Sequence, residues 1–248
     1  LIVATANPED YTNRGRIITP LKDRFDVQLR THYPLEKSYE IEIMEQEVRR
    51  PAFGSFETNV PIFMKEILAE RTFQARSSPD INQHSGVSCR VSIRSYESIM
   101  GSALNRCLEF GEKLAVPRIT DLESTYPAVI GKLELEYDAA ERNDGDVLET
   151  LTNRAIKVVF NEYFQVEGLS SIVYSFQNGA SAEVSQFLPS QDYMDGYDII
   201  PGLREAVQTL VNPDNPSEAA SAIEFILEGL HLSNKLNRQV VNKRIVYK

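Results

Sequence analysis

The spacing of apolar positions changes character along the chain. Residues 1–6 form an apolar run closed by Asn7-Pro8. Such a run fits a strand buried on both faces, as in a parallel α/β sheet. Residues 26–32 alternate, with Val27 and Leu29 against Gln28 and Arg30, and predict a second strand. The residues between them, 20–25, leave room for one or two helical turns. Beyond residue 35 the period becomes helical. Ile41, Met44 and Val48 share one face of a helix that stops before Pro51. Asn59 is placed to cap a second helix, with Pro61 in its first turn and Phe63, Ile67 and Leu68 facing inward. Ser88 is placed to cap a third, whose stripe is Ile99, Met100, Ala103, Leu104, Cys107 and Leu108. Thr120-Asp121-Leu122-Glu123 reads as a capping box opening a short fourth helix.

The pattern stays helical further on. Leu148, Leu151, Ala155, Val158, Val159 and Glu162 suit a long helix after the Asn143-Asp144-Gly145 turn. Residues 165–200 are rich in Ser, Gln, Gly and Asp and predict irregular chain. Asn215-Pro216-Ser217-Glu218 predicts a capped helix carrying Ile223, Ile226, Leu227 and Leu230. The expected fold is mainly α, with two strands near the start. Three regions separate: 1–35 with the two strands, 36–132 helical, and 133–248 mostly helical.

Composition excludes several classes. No run reaches 18 apolar residues, so no membrane insertion is expected. Two cysteines, Cys89 and Cys107, do not make a disulfide framework, and three histidines far apart give no zinc spacing. The three carboxylates of residues 192–198 lack the spacing of a calcium loop. A cytoplasmic, thiol-reduced protein is expected. The net charge of -10 is unevenly spread. Residues 121–228 hold 5 basic and 20 acidic side chains, and residues 229–248 hold 5 basic and none acidic. The acidic body argues against nucleic-acid binding. The tail, interrupted by Val240, Val241 and Ile245, reads as a docking segment or surface helix.

The candidate chemistry lies in residues 1–34. Asn at the carboxyl end of a central strand sits where α/β folds place ligands, and its amide can hold a water in line with a phosphate. Arg24, in Leu21-Lys22-Asp23-Arg24-Phe25, is placed to neutralise charge developing on a transferred phosphoryl group. Arg14 and Arg16, in the loop between, are candidates for a neighbour contact. Here the residues resemble a family. ATANPED followed by ITPLKDRF resembles the sensor 1 strand and arginine-finger helix of AAA+ ATPases, in the branch of the magnesium-chelatase ATPase subunit and MoxR-type proteins. Ser85-Gly86-Val87-Ser88-Cys89-Arg90 is similar to the start of that branch's sensor 2 helix. Val116-Pro117-Arg118-Ile119-Thr120-Asp121-Leu122 is similar to the segment that follows it.

The resemblance covers residues 1–131 and implies a ring ATPase, a hexamer, with ATP between subunits. It makes residues 1–35 the end of an αβα core with two strands left, 36–132 a helical lid, and 133–248 a helical C-terminal region. It implies Asn7 as sensor 1, Arg24 as an arginine finger acting in trans, and Arg90 as the sensor 2 residue that binds nucleotide. It also implies ATP and magnesium in the full-length protein, and a partner with a von Willebrand A-type domain that is remodelled or loaded with metal. The chain departs from the pattern in two respects. It has no Gly-x4-Gly-Lys-Ser/Thr, the loop whose amides cradle phosphate, and no Asp-Glu after an apolar strand. With Leu1 falling inside the sensor 1 strand, the chain reads as a C-terminal fragment that holds no nucleotide alone. A non-catalytic helical interaction module on the same scaffold is the alternative.

Overall fold

A computed structural model describes residues 2–5, 20, 23–49, 56–83, 85–136, 143–197, 199–242 and 244–248. The chain divides into two compact units, residues 1–34 and 35–248. In the first unit, residues 2–5 and 27–34 form no strand, contrary to the two strands expected there. A strand saturates its N–H and C=O groups on a neighbour. No described segment pairs with these residues, and Ile2, Val3, Val27 and Leu29 stand exposed.

The second unit is mainly helical, as the periodicity predicts. Helix α1 (Lys37–Glu47) ends before Pro51 and buries Glu40 and Met44. Strand β1 (Glu57–Thr58) precedes α2 (Ile62–Ser77), which buries Phe63, Met64, Ile67 and Leu68 on one face. Its N-cap is Pro61, not Asn59. The Asn59 amide instead donates to Glu218 Oε1 at 2.9 Å. Helix α3 (Arg90–Phe110) buries the predicted stripe except Leu108, which is 56% exposed. Gly111 ends it with φ 69°, a left-handed conformation that favours glycine.

Strand β2 (Leu114–Ala115) pairs parallel with β1. A 3-10 turn (Ile119–Thr125) and α4 (Tyr126–Ile130) follow. The capping box there starts two residues earlier than predicted, because Asp121 accepts the Arg118 N–H at 2.7 Å. Helix α5 (Asp144–Tyr163) is capped by Asn143, whose Oδ1 accepts from Gly145 N.

Residues 165–200 are more ordered than their composition predicts. They hold a 3-10 turn (Val166–Leu169), α6 (Ser170–Gln177), β3 (Ala182–Val184) and α7 (Ser190–Tyr197). Short elements whose apolar residues are few escape periodicity. Helix α8 (Leu203–Gln208) leads to α9 (Pro216–Leu232), where Asn215 Oδ1 accepts from Ser217 and Glu218 N–H as predicted. Every residue of α9 from Ala219 to Leu230 is buried, which makes it the central helix. The Phe225 ring stacks on Phe63 at 4.6 Å and meets Phe160 edge-on at 5.9 Å. The core therefore runs continuously across residue 132, joining α2 and α3 to α5 and α9.

The basic tail is not a helix. It forms a hairpin, β4 (Arg238–Val241) and β5 (Arg244–Tyr247), in a three-stranded antiparallel sheet of order β3–β5–β4. Asn242 turns the hairpin with φ 52°, a conformation Asn tolerates better than most residues.

Candidate functional site

The predicted site residues fall in different places. Asn7, Arg14 and Arg16 lie outside the described residues. Arg24 sits in a turn of the first unit with its side chain exposed. Arg90 is the first residue of α3 in the second unit, also exposed. Of the three predicted catalytic residues, only Arg90 has its surroundings defined in detail.

The start of α3 is held from beneath. Gly86, with φ 69°, turns the chain into the approach. Ser88 Oγ then accepts the Arg90 N–H at 3.2 Å, so Ser88 does satisfy a first-turn amide although Cys89 is the N-cap residue. Below this turn the carboxylate of Glu40, on α1, is fully buried. It accepts from Ser92 Oγ on α3 and pairs with Arg76 Nη2 on α2 at 3.0 Å. Arg76 Nε donates to the Val87 carbonyl at 2.9 Å. Three helices thus meet in one buried ion pair beneath the first turn. The Cys89 thiol lies 3.6 Å from both Glu40 Oε2 and Arg76 Nη2. Burial, and then the Glu40 charge, raise its pKa, so it is a poor nucleophile. The Arg90 side chain leaves this clamp for solvent and makes no ion pair among the described residues.

A second charged cluster was not foreseen. Arg106 Nη1 grips Asp121 through both oxygens, at 2.8 and 2.9 Å, and its Nη2 donates to the Val116 carbonyl. Burial opposes the Arg106 charge, but Asp121 outweighs it and the net pKa is raised. Arg118, fully buried, donates to the Leu188 carbonyl at 2.8 Å and Ser190 Oγ at 2.6 Å, and lies 4.6 Å from the Tyr193 ring centroid. Tyr193 donates to Glu224 Oε1 at 2.5 Å, and Glu224 Oε2 accepts the Thr120 N–H at 2.8 Å. Burial raises the Glu224 pKa, while Arg118 and the hydrogen bonds oppose the rise. Arg118 and Asp121 belong to the third motif that resembles the ATPase branch, yet here both are buried. They join the 3-10 turn to α3 and α7. Their job is architectural, and the only sequence signal was Asp121 at a helix start.

Among the described residues, no group of His, Cys, Asp and Glu is arranged to hold a metal ion. No helix there is long and apolar enough to cross a membrane. No family model, no curated protein and no solved structure matches the chain.

Proposed function

We propose that the chain is part of an AAA+ ring ATPase of the chelatase-like branch, supplying parts of the nucleotide site. The observation that carries this reading is the mounting of Arg90. An exposed guanidinium without an ion-pair partner projects from a helix start that is locked by a buried ion pair. A rigid mount with a free cationic head suits a residue that must meet a phosphate in a fixed position. The amides of that helix start also favour an anion. Arg24, exposed in its turn, suits a finger that reaches a neighbouring subunit. Asn7 would orient the attacking water.

Residues 1–248 do not themselves fit a magnesium-ATP cradle, for they contain no Gly-x4-Gly-Lys-Ser/Thr. The reading extends to a cytoplasmic hexamer, with ATP and magnesium bound by the full-length protein and a von Willebrand A-type partner as the object remodelled or loaded with metal. The same missing loop favours a second reading, a non-catalytic helical interaction module.

Nucleotide affinity of the full-length protein separates the two. A charge-assisted hydrogen bond to a phosphate contributes about 1.5–3 kcal/mol. Arg90→Ala then weakens ATP binding at least tenfold while ADP binding changes less than twofold. An unchanged ATP-to-ADP preference removes Arg90 from the site. Absence of any ATP binding by the full-length protein selects the interaction module.

A further inference from the structure

A cavity of about 470 Å³ lies between the β3–β5–β4 sheet and the surfaces of the 3-10 turn, α5 and α9. Its walls are partly apolar, with Ile119, Leu122, Ile156, Val240 and Ile245. Its charge is one-sided. Among the described residues four glutamates line it, Glu123, Glu149, Glu224 and Glu228, against a single cation, Arg238. Glu224 and Glu228 stand one turn apart on α9 and are each 1% exposed. Both are already saturated. Glu224 takes Thr120 and Tyr193, and Glu228 takes the Tyr247 hydroxyl and Arg238 Nη1 at 2.8 Å. Arg238 reaches Glu149 only at 3.8 Å.

Three polar side chains at the cavity are unengaged. Among the described residues the side chains of Glu123, Asn153 and Gln186 make no hydrogen bond or ion pair. Arg118 and Arg238 offset the buried Glu224 and Glu228, so the negative charge left at the mouth is that of Glu123 and Glu149. An aliphatic stem ending in a cation matches this combination of apolar wall and unengaged acid. The mouth also has a sheet edge. Among the described residues strand β4 pairs only with β5, and it carries Val240 at 68% and Val241 at 50% exposure. An unpaired edge is a template for another strand. An added strand would present alternate side chains to one face, and so to the cavity that Val240 lines.

We propose that this cavity and the β4 edge form a docking site for an extended basic segment of a partner protein, which adds a strand to β4 and seats a lysine or arginine side chain among Glu123, Glu149 and the apolar wall. This goes beyond the ATPase reading and does not depend on it. The basic character of the partner follows from Glu123 and Glu149 at the cavity; the β4–β5 hairpin itself carries Arg238, Arg244 and Lys248, so the seated cation must pass them to reach the carboxylates.

The test uses three ten-residue probes: alternating Lys and Val, alternating Glu and Val, and the Lys-Val peptide N-methylated at alternate amides. Fluorescence anisotropy is read at low and at physiological salt on the wild-type chain and on a Glu123→Gln/Glu149→Gln double variant. Both substituted side chains are exposed, and circular dichroism verifies that the fold is kept. The proposal expects binding of the Lys-Val peptide only. Its Kd rises at least tenfold in the double variant and on raising the salt, and N-methylation removes binding. Equal affinity for the acidic peptide, or no loss in the double variant, overturns it. So does spermidine binding as tightly as the peptide at the same cavity, since that assigns the site to a free polyamine.

Discussion

Two buried charges in this fold invite opposite substitutions. Asp121 is fully buried and accepts four hydrogen bonds: Ser102 Oγ at 2.7 Å, Arg106 Nη1 at 2.8 and 2.9 Å, and the Arg118 N–H at 2.7 Å. In Asp121→Asn one oxygen becomes an NH₂ that faces a donor, and Arg106, 3% exposed, loses its counter-charge. Removing one partner of a buried pair costs about 3–5 kcal/mol. In a unit of this size each kcal/mol lowers Tm by roughly 2–4 °C, so Tm falls by about 6–20 °C.

Arg71 is just as buried but pairs with no carboxylate among the described residues. It donates to the hydroxyls of Thr125, Thr152 and Ser95, its Nε has no partner, and burial pushes its pKa down to about 10. Those hydroxyls already donate to the carbonyls of Leu122, Leu148 and Val91. Arg71→Met therefore leaves no donor unsatisfied, and its stability stays within about 1 kcal/mol of wild type, or rises. Urea unfolding at constant m-value measures both. A cost below about 1 kcal/mol for Asp121→Asn, or equal costs for the two variants, refutes the reasoning.

Three further outcomes follow from the packing and the titrating groups. A Cβ at Gly229 would overlap the Phe160 ring, so Gly229→Ala costs about 1–3 kcal/mol despite a better helix propensity, and an unchanged urea midpoint contradicts this. Burial raises the Glu224 pKa above its ordinary value of 4.5, so the unfolded chain loses this proton first as pH rises. Its contribution to stability is then greatest below pH 4.5 and falls up to its folded pKa. The stability of Glu224→Gln relative to wild type should rise over that window, and a flat difference sinks the assignment. Burial pushes the Cys107 thiol up to about 11, and Cys107 is 1% exposed against half-buried Cys89. Ellman's reagent at pH 8 should titrate Cys89 slowly and Cys107 only after unfolding; equal rates would contradict the burial.

Much of the helical frame was legible because its signals are local. Asn215 caps where its spacing predicts, the long helix starts at the expected Asn143-Asp144-Gly145 segment, and Phe63, Ile67 and Leu68 are buried together. The signal failed where partners are distant in sequence. Asn59 has cap chemistry, but Glu218 takes its amide. Glu224 and Glu228 look like the solvated face of α9, yet Tyr193, Tyr247 and Arg238 bury them. The hairpin of residues 238–247 alternates too briefly to be told from a tail, and its pairing partner β3 lies about sixty residues away. At the candidate site, the sequence marked Arg90 by motif and helix start. The Glu40–Arg76–Ser92 clamp beneath it joins three helices, so no local pattern announced it.

The central claim is that Arg24 completes a neighbouring subunit's nucleotide site. Steady-state ATP hydrolysis by the full-length protein, with and without Arg24→Ala, tests it most directly when ATP binding is measured alongside. An arginine finger contributes about 10³–10⁵ to turnover. The account predicts a loss of that order with ATP affinity unchanged. Turnover within twofold of wild type contradicts it.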